Sequence, residues 1–125
     1  MGFLIVFIGG GLGAALRHGV NLLSARLFGT NIPWHTFFEN VSGSLAMGLL
    51  VGYFALKADP TSQTWRLFLT TGILGGYTTF SAFSLDAVLL YERGAIGQAA
   101  AYVVGSVALA IAGLMVGLAV VRHLT

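Results

Sequence analysis

Apolar residues along this chain fall into four long runs, each ended by a short polar or turn-forming stretch. The first goes from Phe3 into the twenties, with Arg17 and Arg26 towards its far end, and stops at Thr30-Asn31 and Pro33. The second covers Thr36 to Leu56, with Glu39 and Asn40 near its start. Lys57 to Gln63, rich in turn formers, separates it from a third run, Arg66 to Tyr91. Glu92-Arg93-Gly94 makes a tight loop before the fourth, Ala95 to Val121. These runs are too long for strands, and a helix needs about 20 apolar residues to cross the hydrocarbon core. The pattern predicts an all-α integral membrane protein with four transmembrane helices in one domain, residues 1–125.

The third run departs from a plain span. Leu67 to Leu85 carries no charge, yet its centre reads Gly75-Gly76-Tyr77-Thr78-Thr79-Phe80-Ser81-Ala82-Phe83-Ser84. Adjacent glycines weaken a helix, and lipid satisfies none of the carbonyls they release. Irregular backbone at membrane depth persists only where protein buries it or where it lines a polar path. A functional break in the third helix, at the glycine pair, is therefore expected.

Composition narrows the class. Hydrophobic residues make up 57% of the chain and charged residues 8%, far below the roughly 25% of soluble domains. The net charge of +2 comes from scattered basic residues, with no basic cluster for nucleic acid and no acidic tail. There is no cysteine, which excludes disulfides and thiolate metal sites. The apolar stretch from Met1 to Leu16 has no basic leader and reads as a retained span. A multi-pass protein of the cell membrane is expected, the inner membrane if the source is Gram-negative.

Small residues recur every four positions: Gly9 and Gly13; Ser44, Gly48 and Gly52; and Gly97, Ala101, Gly105, Gly113 and Gly117, interrupted only by Leu109. Such ridges let helices approach closely in lipid and predict a compact bundle. The cations divide evenly. Lys57, Arg66 and Arg122 belong to one side of the membrane, and Arg17, Arg26 and Arg93 to the other. Orientation follows a Lys/Arg imbalance, which is nearly absent here. Insertion both ways round, and with it a dual-topology antiparallel homodimer, becomes available.

No catalytic constellation can be assembled, so an enzyme is not expected. The glycine run from Gly9 to Gly13 lacks the Lys-Ser/Thr ending of a phosphate loop, and His18, His35 and His123 are isolated. What remains is a set of neutral polar groups and aromatics at membrane depth. Phe80 and Phe83 are three apart and share a helix face beside Thr78, Thr79, Ser81 and Ser84. Ring edges are electropositive, so they touch a small anion without a formal charge. Hydroxyls and the Asn40 amide add true donors, and no buried Lys or Arg makes a deep trap. Carbonyls released by Gly75-Gly76 suit a hard cation such as Na⁺, and two breaks meeting across a twofold axis double their number.

The sequence from Gly75 to Ser84 resembles the GG-x-TTFS-x-F signature of the Fluc/CrcB fluoride channels. The resemblance extends to Gly10-Gly11-Leu12-Gly13-Ala14-Ala15-Leu16-Arg17 and to Thr36-Phe37-Phe38-Glu39-Asn40-Val41-Ser42-Gly43, and so spans nearly the whole chain. It implies a dual-topology antiparallel homodimer with two pores that passively exports cytoplasmic fluoride. It implies pore roles for Phe80, Phe83 and Asn40, with Thr79, Ser81, Tyr102 and Ser106 as further polar lining. Arg17 would attract anions at an aqueous vestibule. Gly75 and Thr78 would give backbone oxygens to a structural Na⁺ at the dimer centre. Two positions depart from the family pattern. Glu39 stands where relatives carry a small apolar residue, and Ala82 where Thr is common. A carboxylate near an anion path raises the barrier unless it is protonated, paired or turned away, and pairing with Arg17 or Arg26 is expected.

Two other functions share parts of this pattern. A small multidrug-type transporter is also a four-helix, dual-topology dimer, but it works through a carboxylate in its first span, and this chain has no acid before Glu39. A non-conducting assembly subunit needs only the small-residue ridges.

Overall fold

In a computed structural model the chain is described over residues 2–57 and 59–124. Met1, Ala58 and Thr125 belong to the expected first span, second loop and C-terminus and lie outside the described residues. Helix α1 runs Gly2–Phe28 and α2 Trp34–Phe54. Helix α3, Pro60–Arg66, continues as a π-helix, Leu67–Leu74, and then as a single turn, α4, Gly75–Tyr77. Thr78 and Thr79 are extended (φ −87°, ψ 158° and φ −155°, ψ 121°). Helix α5 follows over Phe80–Glu92 and α6 over Ile96–Leu124. Among the described residues there is no strand.

Among the described residues, three helical lengths are long and apolar enough to cross a membrane: Gly2–Phe28, Pro60–Glu92 and Ile96–Leu124. The protein is therefore a multi-pass helical membrane protein. Helix α2 is more polar and is not among them. Its 21 residues nonetheless rise about 31 Å at 1.5 Å each, and it packs along α6.

The termini of the helices follow from local chemistry. Gly29 (φ 75°) and Gly94 (φ 87°) adopt the left-handed conformation that closes α1 and α5. Ala95 N–H bonds back to Leu90 O at 3.0 Å, and Gly94 N–H to Tyr91 O at 3.0 Å. Arg93 Nη2 donates to Asn31 O at 2.7 Å and ties together the loops at that end of the bundle. At the start of α3, Asp59 caps with Pro60 at the first helical position.

Two close crossings hold the bundle. In the first, α1 lies against the π-helix and α4. A Cβ on Gly9 would sit 2.8 Å from Phe68 O, and one on Gly76 would strike Gly10 O. In the second, α2 lies against α6, where a Cβ on Gly117 would sit 2.5 Å from Leu45 O. The expected ridge on the fourth run is only half used within the chain. Gly113 and Gly117 pack on α2, whereas Gly97 and Gly105 meet nothing within 4 Å.

Candidate functional site

The third segment is interrupted, but not at the glycines. Gly75–Tyr77 remain helical, and the backbone leaves the helix at Thr78–Thr79. The expectation that Gly75-Gly76 form the break is corrected accordingly. Gly76 serves close approach to α1, and packing there outweighs the intrinsic weakness of glycine in a helix. Its carbonyl is not released either, since Arg17 Nε donates to Gly76 O at 3.0 Å.

Local side-chain bonding explains why the chain turns at the two threonines. Thr78 Oγ1 donates to Leu74 O at 2.9 Å, closing the helix behind it. Thr79 Oγ1 accepts from Ala82 N–H at 3.1 Å and so caps α5. Between these two bonds, Asn40 of α2 meets the exposed backbone. Thr79 N–H donates to Asn40 Oδ1 at 2.8 Å, and Asn40 Nδ2 donates to Thr79 O at 3.0 Å.

Phe80 and Phe83 leave this break on one side of α5, with ring centroids 5.6 Å apart. They are unequal: Phe80 is 78% exposed and Phe83 only 9%. Phe83 continues to Tyr102 on α6, centroid to centroid 5.3 Å. A groove of about 280 Å³ runs between these elements and is lined by Asn40, Thr78, Thr79, Phe80, Phe83 and Ser106, together with Ser44 and Met47. No Lys or Arg lines it. Ser106 is 4% exposed, and its Oγ has no hydrogen-bond partner among the described residues.

The structure thus brings Asn40, Thr79, Phe80, Phe83 and Ser106 to one surface. Ser81 stands beside them, its Oγ 3.2 Å from Thr79 Oγ1. Tyr102 reaches the groove only through Phe83, and its hydroxyl donates to Asp86 Oδ2 at 3.1 Å. Arg17 lies apart, on the α1 side of Gly76. Sequence reasoning missed Asp86 as a partner here, since the hydroxyl it receives belongs to another helix, α6.

Glu39 also differs from expectation. It is 1% exposed, and the group against its carboxylate is the Asn21 amide of α1 rather than an arginine. Arg17 is directed to Gly76 instead.

The carbonyls at the break lose their helical donors. In a continuous helix Gly75 O would receive Thr79 N–H, and Thr78 O would receive Ala82 N–H. Those donors go to Asn40 Oδ1 and Thr79 Oγ1. Gly75 is exposed, and a Cβ there would meet only Thr70 O, at 3.8 Å.

An interrupted span beside a groove lined by two phenylalanines, an amide and hydroxyls belongs here to a multi-pass helical membrane protein. The chain belongs to the family described as CrcB-like protein, Camphor Resistance (CrcB), whose model matches residues 4–118. It is 69% identical over 125 residues, all of both chains, to a protein of Rhodopseudomonas palustris (strain BisB5) named fluoride-specific ion channel FluC. A Nitrobacter hamburgensis protein named fluoride-specific ion channel FluC 2 is 63% identical over 125 residues, again all of both chains. A third, from Methylobacterium nodulans and also named fluoride-specific ion channel FluC, is 63% identical over 120 residues, 96% of this chain and 95% of the relative.

Proposed function

We propose that this chain forms a fluoride-specific channel that passively exports cytoplasmic fluoride across the cell membrane and so lowers its concentration in the cell. The observation that carries the reading is Ser106, a buried hydroxyl without a hydrogen-bond partner among the described residues, in the same groove as Asn40, Thr79 and the Phe80–Phe83 pair. A buried donor left bare calls for a ligand or water, and a small anion accepts from it directly. Asn40 gives one amide hydrogen to Thr79 O and has a second for the ion. Ring edges of Phe80 and Phe83 complete the partial shell. Without a Lys or Arg the ion is held loosely enough to leave.

The working unit in this reading is an antiparallel homodimer of four-span chains inserted in both orientations, with α2 as the fourth span. Gly97 and Gly105, open within the protomer, suit contact with another helix. The Gly75 and Thr78 carbonyls of both copies would hold a structural Na⁺ that is not transported. When bound, the ion supplies positive charge at the dimer centre and fixes the two breaks against each other. No observation favours a multidrug-type transporter, since α1 carries no carboxylate.

The test is rescue of a bacterium lacking its own fluoride exporter. Expression of this chain restores growth in fluoride, whereas Phe80→Ile does not, although it assembles normally. Equal rescue by the variant contradicts the assigned pathway, and absence of rescue by the natural chain contradicts the function.

A further inference from the structure

Glu39 immediately precedes Asn40 on α2 and is 1% exposed. A carboxylate buried so completely needs donors around it. One terminal atom of the Asn21 amide is 3.1 Å from Arg17 O, 3.1 Å from His35 Nδ1 and against Glu39 Oε2. The Arg17 carbonyl already receives a helical N–H from Asn21 itself. Two acceptors therefore remain, and an amide NH₂ has two hydrogens for them. With Glu39 ionised and His35 Nδ1 bare, Asn21 satisfies both.

A second arrangement satisfies the same atoms. A proton from water joins Glu39 Oε2, the imidazole moves its own proton to Nδ1, and the amide turns by half a rotation. Asn21 Oδ1 then accepts from Glu39 Oε2–H and His35 Nδ1–H. The two states differ by one bound proton and by the sense of one amide, and in each the Asn21 amide meets both Glu39 Oε2 and His35 Nδ1.

We infer that Asn21, His35 and Glu39 form a proton-binding site whose occupancy removes a negative charge beside Asn40 and thereby speeds fluoride through the groove. Only the last clause rests on the fluoride-channel reading. His35 is half-buried and contacts Thr36 Oγ1 at 3.1 Å, so it is the member through which protons exchange with water. The charged groups that act on Glu39 from other elements are Arg17 of α1 and Asp86 of α5, opposite in sign. Each is bonded elsewhere, Arg17 to Gly76 O and Asp86 to the Tyr102 hydroxyl of α6. Tyr77 of α4 bonds Ser42 Oγ, one turn further along α2. A unit charge about 10 Å from an ion path, at an effective dielectric of about 20, changes passage roughly tenfold.

Fluoride efflux from liposomes is measured from about pH 8 to about pH 5.5, with leakage through protein-free vesicles subtracted. The natural chain speeds up about tenfold on acidification. Glu39→Gln runs at the acid-side rate at every pH. The carboxylic-acid infrared band that Glu39→Gln removes grows with the same midpoint as the flux. A Glu39→Gln protein that keeps the natural pH profile overturns the inference, and so does absence of the band. If no fluoride moves at any pH, the channel reading falls, while the infrared titration still decides the proton site by presence or absence of a midpoint. Should Glu39→Gln fail to assemble, Asn21→Leu replaces it: a midpoint displaced by about one pH unit supports the site, and an unmoved one overturns it.

Discussion

Asn40 and Thr79 exchange two hydrogen bonds, amide against backbone, at the point where the third segment stops being helical. The side chain does what a neighbouring strand would do, giving one donor and one acceptor to a single residue. It replaces the helical partner that Thr79 N–H gives up, at a depth where lipid has none to give.

Asn40→Ala removes both bonds and leaves a backbone N–H and C=O without partners. At about 1–3 kcal/mol for each group left bare, a loss of roughly 2–6 kcal/mol is expected, towards the lower end because Thr79 is only half-buried, and is read by thermal unfolding in detergent. Asn40→Asp keeps the acceptor and loses the donor. It unfolds at an intermediate temperature, and its added negative charge suppresses fluoride flux. Equal stability of all three proteins contradicts the role given to the pair.

The two adjacent glycines are predicted to behave differently. A Cβ on Gly76 strikes the Gly10 carbonyl, so Gly76→Ala forces α1 away and costs about 1–3 kcal/mol. Gly75 has room within its own chain. Gly75→Ala therefore leaves the protomer folded and weakens what the proposed dimer centre holds. Dimer dissociation on Na⁺ removal, followed by size-exclusion chromatography, becomes easier in Gly75→Ala.

Arg17 has a bonding role as well as a charge. Arg17→Gln retains an N–H for the Gly76 carbonyl and removes the charge. Its unfolding temperature stays near that of the natural chain, while its flux falls most at low salt, where the screening length is longest. Arg17→Lys keeps the charge and loses the planar donor, and the pattern reverses. The two variants measured at two salt concentrations separate cap from attractor.

Asp59 supplies the pH dependence outside the membrane. Its carboxylate accepts from Ser62 Oγ at 2.8 Å and Ser62 N–H at 3.2 Å, and the side-chain bond is the main cause holding its pKa below the usual 3.8. A depressed pKa means the cap is fully present above the ordinary carboxylate value and is lost as pH falls through the lower, folded one. Hydrogen exchange over Pro60–Arg66 should speed up on acidification through that range. Asp59→Asn, which does not titrate, flattens the response.

Much of the fold was legible because lipid imposes it. Run lengths located the helical segments, and Pro33, Pro60 and Gly94 marked the loops between them through backbone geometry. The Gly9–Gly13 and Gly48–Gly52 ridges announced their close crossings. The break was misjudged by three residues because glycine weakens a helix only slightly, a cost that packing against α1 recovers. Thr78 and Thr79, whose hydroxyls compete for backbone groups, decided the matter. Of the candidate site, Asn40, Thr79, Phe80, Phe83 and Ser106 line one groove, but spacing placed only Phe80 and Phe83 on a common face, and the resemblance alone put Asn40 and Ser106 beside them. Asp86 with Tyr102, and Glu39 with Asn21, pair residues on different helices, which no spacing along one helix predicts. The π-helix over Leu67–Leu74 left no sequence signal that we can identify.

The central claim is that the groove passes fluoride and little else. Fluoride efflux from liposomes holding the purified protein, with Na⁺ present and chloride followed in parallel, tests it most directly. Rapid release of fluoride with chloride retained, abolished by Phe80→Ile, is the predicted result. Retention of fluoride by folded protein, or release of both anions alike, contradicts it.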